Sequence, residues 1–127
     1  MMPDIGDIVE IIRDIPEKNL CAGEQGTIVH RHKDSAYEVE FTDEDGETLD
    51  FFALHAEDFI VIWQAETRRW ISAAERISFL VAALPEEDIK QLFNFARFLF
   101  SQNSRRSINH VKHVSAQYKF SFIDTRH

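Results

Sequence analysis

The sequence predicts an α+β protein in which a small antiparallel β-barrel, residues 1–63, is followed by a helical region, residues 64–127. Short runs of β-branched and aromatic residues, separated by Gly, Pro and Asp turns, fill the first half. Capped apolar patterns at helical spacing fill the second. Charge divides at the same place: residues 1–63 hold 16 acidic and 4 basic residues, whereas residues 64–127 hold 6 acidic and 10 basic. The 127 residues, 44% of them hydrophobic, suffice for one compact domain or a small domain with an appendage. They are too apolar for a disordered chain and too few for a (β/α)₈ barrel.

The first strand is expected in Asp7-Ile8-Val9-Glu10-Ile11-Ile12-Arg13, ending at Asp14-Ile15-Pro16, where proline removes a ladder donor. Gly23-Glu24-Gln25-Gly26 then turns into a second strand, 27–32, the two glycines supplying positive φ angles for a tight turn. Tyr37-Glu38-Val39-Glu40-Phe41 alternates strictly, so Tyr37, Val39 and Phe41 face the core and the glutamates face water. Asp45-Gly46 marks a hairpin turn into a fourth strand, 48–53. One helical turn at 55–58 precedes a last strand, 59–63. Five short strands in about sixty residues, with a turn before the fifth, describe an SH3-like barrel.

Several of these residues carry a resemblance. Asp7 and Val9, Asp14-Ile15-Pro16, Leu20, Gly23, Gly26-Thr27-Ile28-Val29 and Tyr37-Glu38-Val39-Glu40-Phe41 together resemble a family of small bacterial proteins of unknown function. That resemblance covers residues 6–62 and implies an SH3-like fold with no established activity. The glycine turn into a strand is similar to a KOW motif, but four basic residues against 16 carboxylates argue against nucleic-acid binding by the barrel. Phe52-Ala53-Leu54 resembles a segment of a small accessory protein of photosystem I, over three residues only.

In the second half, Ser72-Ala73-Ala74-Glu75 is a capping box that starts a helix over 72–84, with Ile77, Leu80, Val81 and Leu84 at helical spacing. Pro85-Glu86-Glu87-Asp88 starts a second helix reaching about residue 102, its carboxylates at the positive end of the dipole. Ile89, Leu92, Phe93, Ala96, Leu99 and Phe100 form one stripe, with Phe95 and Phe98 outside it. A helix apolar around most of its circumference needs two covering surfaces. Either the barrel and the first helix provide them, or a second copy does. A homodimer is favoured, with Leu92, Phe93, Phe95, Phe98 and Leu99 as self-association residues. The run from Leu84-Pro85-Glu86-Glu87 to Phe98-Leu99 is similar to a helix of some bacterial antitoxin-like proteins. Beyond a polar stretch, 101–107, Ile108, Val111 and Val114 suggest a short helix and Tyr118-Lys119-Phe120-Ser121-Phe122 a strand.

No catalytic set is legible, and no cofactor or metal is expected. His30 with His32, and His110 with His113, each supply only two ligands. Cys21, the single cysteine, has no neighbouring base and no partner for a disulfide, consistent with a reducing compartment. Asp43, Glu44, Asp45, Glu47 and Asp50 lack calcium-loop spacing. Met1-Met2-Pro3-Asp4 does not begin a signal peptide and no apolar run is long enough to cross a membrane, so a cytoplasmic protein is expected. The expectation is a non-enzymatic interaction module. Its candidate partner-binding residues are Asp43, Glu44, Asp45, Glu47 and Asp50, the loop 16–26, and Arg68, Arg69 and Trp70, arginine and tryptophan being common interface anchors. An antitoxin-like regulator touching DNA through its basic half, and a small metal-binding protein, are the alternatives.

Overall fold

The computed structural model describes residues 2–106, with backbone alone for 104–106. The expected helix and strand beyond residue 107, and the His110 and His113 pair, lie outside the described residues. The chain divides into two units, residues 1–82 and 83–127.

The first unit is an antiparallel sheet of six strands: β1 (Ile8–Ile11), β2 (Gln25–Arg31), β3 (Ala36–Thr42), β4 (Thr48–His55), β5 (Phe59–Gln64) and β6 (Arg69–Trp70). Their order is β4-β3-β2-β1-β5-β6. Among the described residues no ladder joins β4 to β6, so the sheet is open. It is nevertheless strongly curled, by simple geometry. β4 and β5 are four strand spacings apart in the order, about 19 Å in a flat sheet. The 3₁₀ turn Ala56–Asp58 is all that links them, and four peptide units span at most about 14 Å. Register shifts at Ile8/Val9, Ile28/His30 and Phe41/Thr42 bend the strands accordingly.

Curling encloses one core: Val9, Ile11, Ile28, Tyr37, Val39, Phe41, Leu54, Phe59 and Val61 from the strands, with Phe52 packed against it. The alternation expected of Tyr37, Val39 and Phe41 is what is observed. Ile15 and Leu20 join the core from the loop after β1, where they form an isolated bridge (Ile15 N–H to Leu20 C=O, 2.8 Å) around the 3₁₀ turn Pro16–Lys18. Ile15 and Leu20 thus plug the sheet while Asp14 and Pro16 stay exposed, and the strand itself ends earlier, at Ile11.

The two turn glycines differ in their reasons. Gly23 has φ +99°, as expected of a turn. Gly26 does not have a positive φ; a Cβ there would stand 2.6 Å from Val39 Cγ1 and 2.8 Å from the Glu40 carbonyl oxygen. Its requirement is close approach of β2 to β3.

Residues 64–70 form a hairpin. Trp63 pairs with Trp70 and Gln64 with Arg69. Arg68 takes the left-handed turn position at φ 53°. Ile71, buried, donates to the Ile62 carbonyl at 2.8 Å and ties the chain into the core. Ser72 then caps helix α1 (Ala73–Val81) with the expected capping box: the Glu75 amide donates to Ser72 Oγ at 3.2 Å and the Ser72 amide to Glu75 Oε1 at 3.4 Å. α1 stops at Val81, short of Leu84, with Pro85 blocking continuation.

The second unit contains α2 (Glu86–Arg106), which starts directly after Pro85 with three carboxylates in its first turn.

Candidate interaction surfaces

The β3–β4 hairpin is built by Asp43. Its Oδ1 accepts the amides of Asp45 and Glu47, each at 2.9 Å, and Gly46 occupies a left-handed position at φ 82°. Asp43 therefore shapes the turn. Glu44, Asp45, Glu47 and Asp50 stand exposed around it. Residues 34–67 contain eleven carboxylates and neither lysine nor arginine, although Arg13 pairs with Asp58 and Lys18 reaches the Ala53 carbonyl. Two large apolar side chains project among those charges from the outer face of β4, Leu49 at 66% exposure and Phe51 at 46%.

β4 is an edge strand, and its outward backbone groups fall on alternate residues. Three are occupied by side chains. The Phe51 amide donates to Asp50 Oδ1 at 2.8 Å, the Ala53 carbonyl accepts from Lys18 Nζ at 2.9 Å, and the His55 amide donates to Asp58 Oδ2 at 2.9 Å. This blunts the edge against strand addition, leaving side-chain contact as the way to engage it.

Arg68, Arg69 and Trp70 lie on the β5–β6 hairpin, at the other end of the strand order from the acidic residues between Asp43 and Asp50, so the ladder does not bring the two predicted sets together. Trp70 packs edge-on against Trp63, ring centroids 6.4 Å apart, and remains 59% exposed. Arg69 is engaged within the chain, donating to both Glu75 carboxylate oxygens at 2.9 and 3.3 Å. Hydrogen bonding to Glu75 and its charge raise the Arg69 pKa; the same contact, with Ser72, lowers that of Glu75. All three are exposed, but Arg69 is committed to the α1 N-terminus.

α2 carries several exposed apolar side chains. Phe93, Phe95, Phe98, Leu99 and Phe100 are all exposed, Phe95 at 58% and Phe98 at 54%, and Leu92 is half-buried. On its own helix, Arg97 lies over the Phe93 ring, 5.4 Å from its centroid, and donates to Asn94 Oδ1 at 2.8 Å.

His30 on β2 and His32 just past its end have their rings edge-on at 4.9 Å, with His32 Nε2 2.8 Å from Glu38 Oε2. Among the described residues no group of three or more His, Cys, Asp and Glu is arranged to hold a metal ion. Cys21 is an exposed free thiol in the loop before β2. No helix among the described residues is long and apolar enough to cross a membrane.

Two carboxylates that the sequence analysis did not single out chemically are the most deeply buried polar groups, Asp7 and Asp58. Asp7 accepts the Asp4 and Ala65 amides, both at 2.9 Å, and so fastens the chain start to the end of β5. Asp58 Oδ1 accepts from Nε (2.7 Å) and Nη2 of Arg13, and Oδ2 accepts from the His55 amide. That hydrogen bond and the Asp58 charge raise the Arg13 pKa. Both carboxylates have their partners supplied, so both are fastenings of the fold. Each has one partner three residues away and a distant one, Ala65 at 58 residues and Arg13 at 45, that no local signal announces.

Fold and surfaces together define a small antiparallel sheet domain with appended helices. Residues 5–61, from β1 into β5, match the family model described as a domain of unknown function (DUF4926). The resemblance read from the glycine and Tyr-x-Val-Glu-Phe motifs is met at that level, an uncharacterised family. Neither curated proteins nor solved structures returned a match.

Proposed function

We propose that the protein is a non-enzymatic interaction or accessory module, an SH3-like curled sheet that offers its acidic hairpin to a basic protein partner and self-associates as a homodimer through its helices. The observation that carries this is α2, on which Phe93, Phe95 and Phe98 are exposed. A contiguous apolar surface of that kind on a folded chain marks a contact with another polypeptide. The hairpin supplies selectivity through a one-sign field with Leu49 and Phe51 set within it. Nucleic acid is disfavoured at this surface, because phosphate and carboxylate repel.

Light scattering on the full chain tests the self-association: the expected mass is twice 14.8 kDa, and a monomer throughout the micromolar range overturns it. Capture of partners by native protein and by a Glu44→Lys, Asp45→Lys, Glu47→Lys variant tests the hairpin. A basic partner lost on charge reversal and weakened by salt is the expected result. Equal capture by both overturns it.

A further inference from the structure

We infer that Lys18 guards the outer edge of β4, and that without it β4 pairs with β4 of a second copy across a two-fold axis at Phe51. β4 is the longest strand, eight residues from Thr48 to His55, and stands at the end of the strand order. Its centre, Leu49-Asp50-Phe51-Phe52-Ala53-Leu54, holds one charge and neither Gly nor Pro, and Leu49 and Phe51 are exposed. An edge of that composition is a template for strand pairing. The His32 amide donates to the Ala36 carbonyl, so the even-numbered residues of β3 bond toward β2 and Tyr37, Val39 and Phe41 bond toward β4. Their partners are Leu54, Phe52 and Asp50, which leaves the backbone groups of Leu49, Phe51, Ala53 and His55 facing outward.

An added antiparallel strand uses both the amide and the carbonyl of each outward residue. Phe51, Ala53 and His55 each have one of those two groups engaged, by Asp50, Lys18 and Asp58. Asp50 and Asp58 act from the strand itself and from the turn that follows it. Lys18 comes from 35 residues away, set there by the 3₁₀ turn Pro16–Lys18, whose flanking Ile15 and Leu20 are anchored in the core. Its Nζ occupies the Ala53 carbonyl and places a charge on the edge that a pairing strand has to displace. With that charge gone the edge is complementary to itself. In an antiparallel pair about Phe51, Leu49 of one copy stands opposite Ala53 of the other, Asp50 opposite Phe52 and Glu47 opposite His55, so no like charges meet.

Light scattering on full-length variants at equal concentration reads the guard, with the native mass as baseline whether or not the helices associate. Lys18→Ala should at least double the weight-average mass. Lys18→Arg, which keeps the charge and the donor, should hold it at the native value. Ala53→Pro added to Lys18→Ala removes an outward amide that β3 does not use, and should restore the native mass. In hydrogen exchange the Ala53 amide should gain protection in Lys18→Ala and not in Lys18→Arg. An unchanged mass in Lys18→Ala overturns the guard. So does a rise that Ala53→Pro leaves in place, or one accompanied by lost protection of Val39 and Leu54 in the core, which marks unfolding.

Discussion

The sheet unit and α2 use phenylalanine in opposite ways. In the sheet, Phe41 and Phe59 are buried, Phe52 packs against the same core, and Tyr37 meets Phe59 edge-on at 5.6 Å. On α2 the phenylalanines face outward. Phe51 on the outer face of β4 is the exception within the sheet, and the other phenylalanines of the strands fill a core where those of α2 stay at the surface. Alternation at period two gives a curled sheet one side to bury, whereas a helix with apolar residues around its circumference has no single face to bury.

The comparison breaks most visibly under core truncation. Both tryptophans, Trp63 and Trp70, belong to the sheet unit, so their fluorescence follows its unfolding. Ile28→Ala, at a fully buried site, is expected to cost about 2–5 kcal/mol in denaturant titrations. Phe98→Ala on α2 should shift the same transition by less than about 0.5 kcal/mol. A comparable loss from both would refute the separation of roles.

Gly26→Ala probes the closest strand approach. The new methyl meets Val39 and a backbone oxygen, and a loss of about 1–3 kcal/mol is expected by the same readout. An unchanged midpoint would mean that β2 and β3 separate freely. Asp58→Ala removes the acceptor for the His55 amide and the partner of Arg13, with about 1–3 kcal/mol expected. Restoration of most of that loss by Asp58→Asn would assign it to the amide hydrogen bond rather than to the charge.

The smallest effect concerns acid. The Glu75 pKa is lowered from 4.5, chiefly by Arg69, so its capping contribution is complete above that value and disappears as pH falls through the lower folded value. Loosening of the first turn of α1 below pH 4.5 should be visible in the Glu75 amide resonance, and should vanish in Glu75→Gln. Retention of the acid response in that variant would assign it to another carboxylate.

Much of this was legible in the sequence because it is local. The Tyr37 to Phe41 alternation, the Asp45-Gly46 turn, the Ser72–Glu75 cap and the Pro85 boundary each arise from residues within a few positions of one another, where backbone preferences and side-chain reach suffice. The acidic strip and the stripe on α2 were legible for the same reason. The candidate contact residues were only partly sorted: Asp43 and Arg69 looked like free charges, and tertiary contacts commit them to a turn and to a helix cap.

What the sequence determined by itself is therefore the set of short strands, the helix starts and the uneven distribution of charge and apolar surface. Only the tertiary structure decided that 64–70 fold back as a hairpin with a sixth strand, that Gly26 is held by proximity to Val39, and that Asp7 and Asp58 are buried fastenings. Each of these depends on partners that the chain brings together only after the sheet has curled. A buried carboxylate joined to an arginine 45 residues away has no periodicity and no neighbouring signal. Its identity as a fastening exists only once both ends are in place.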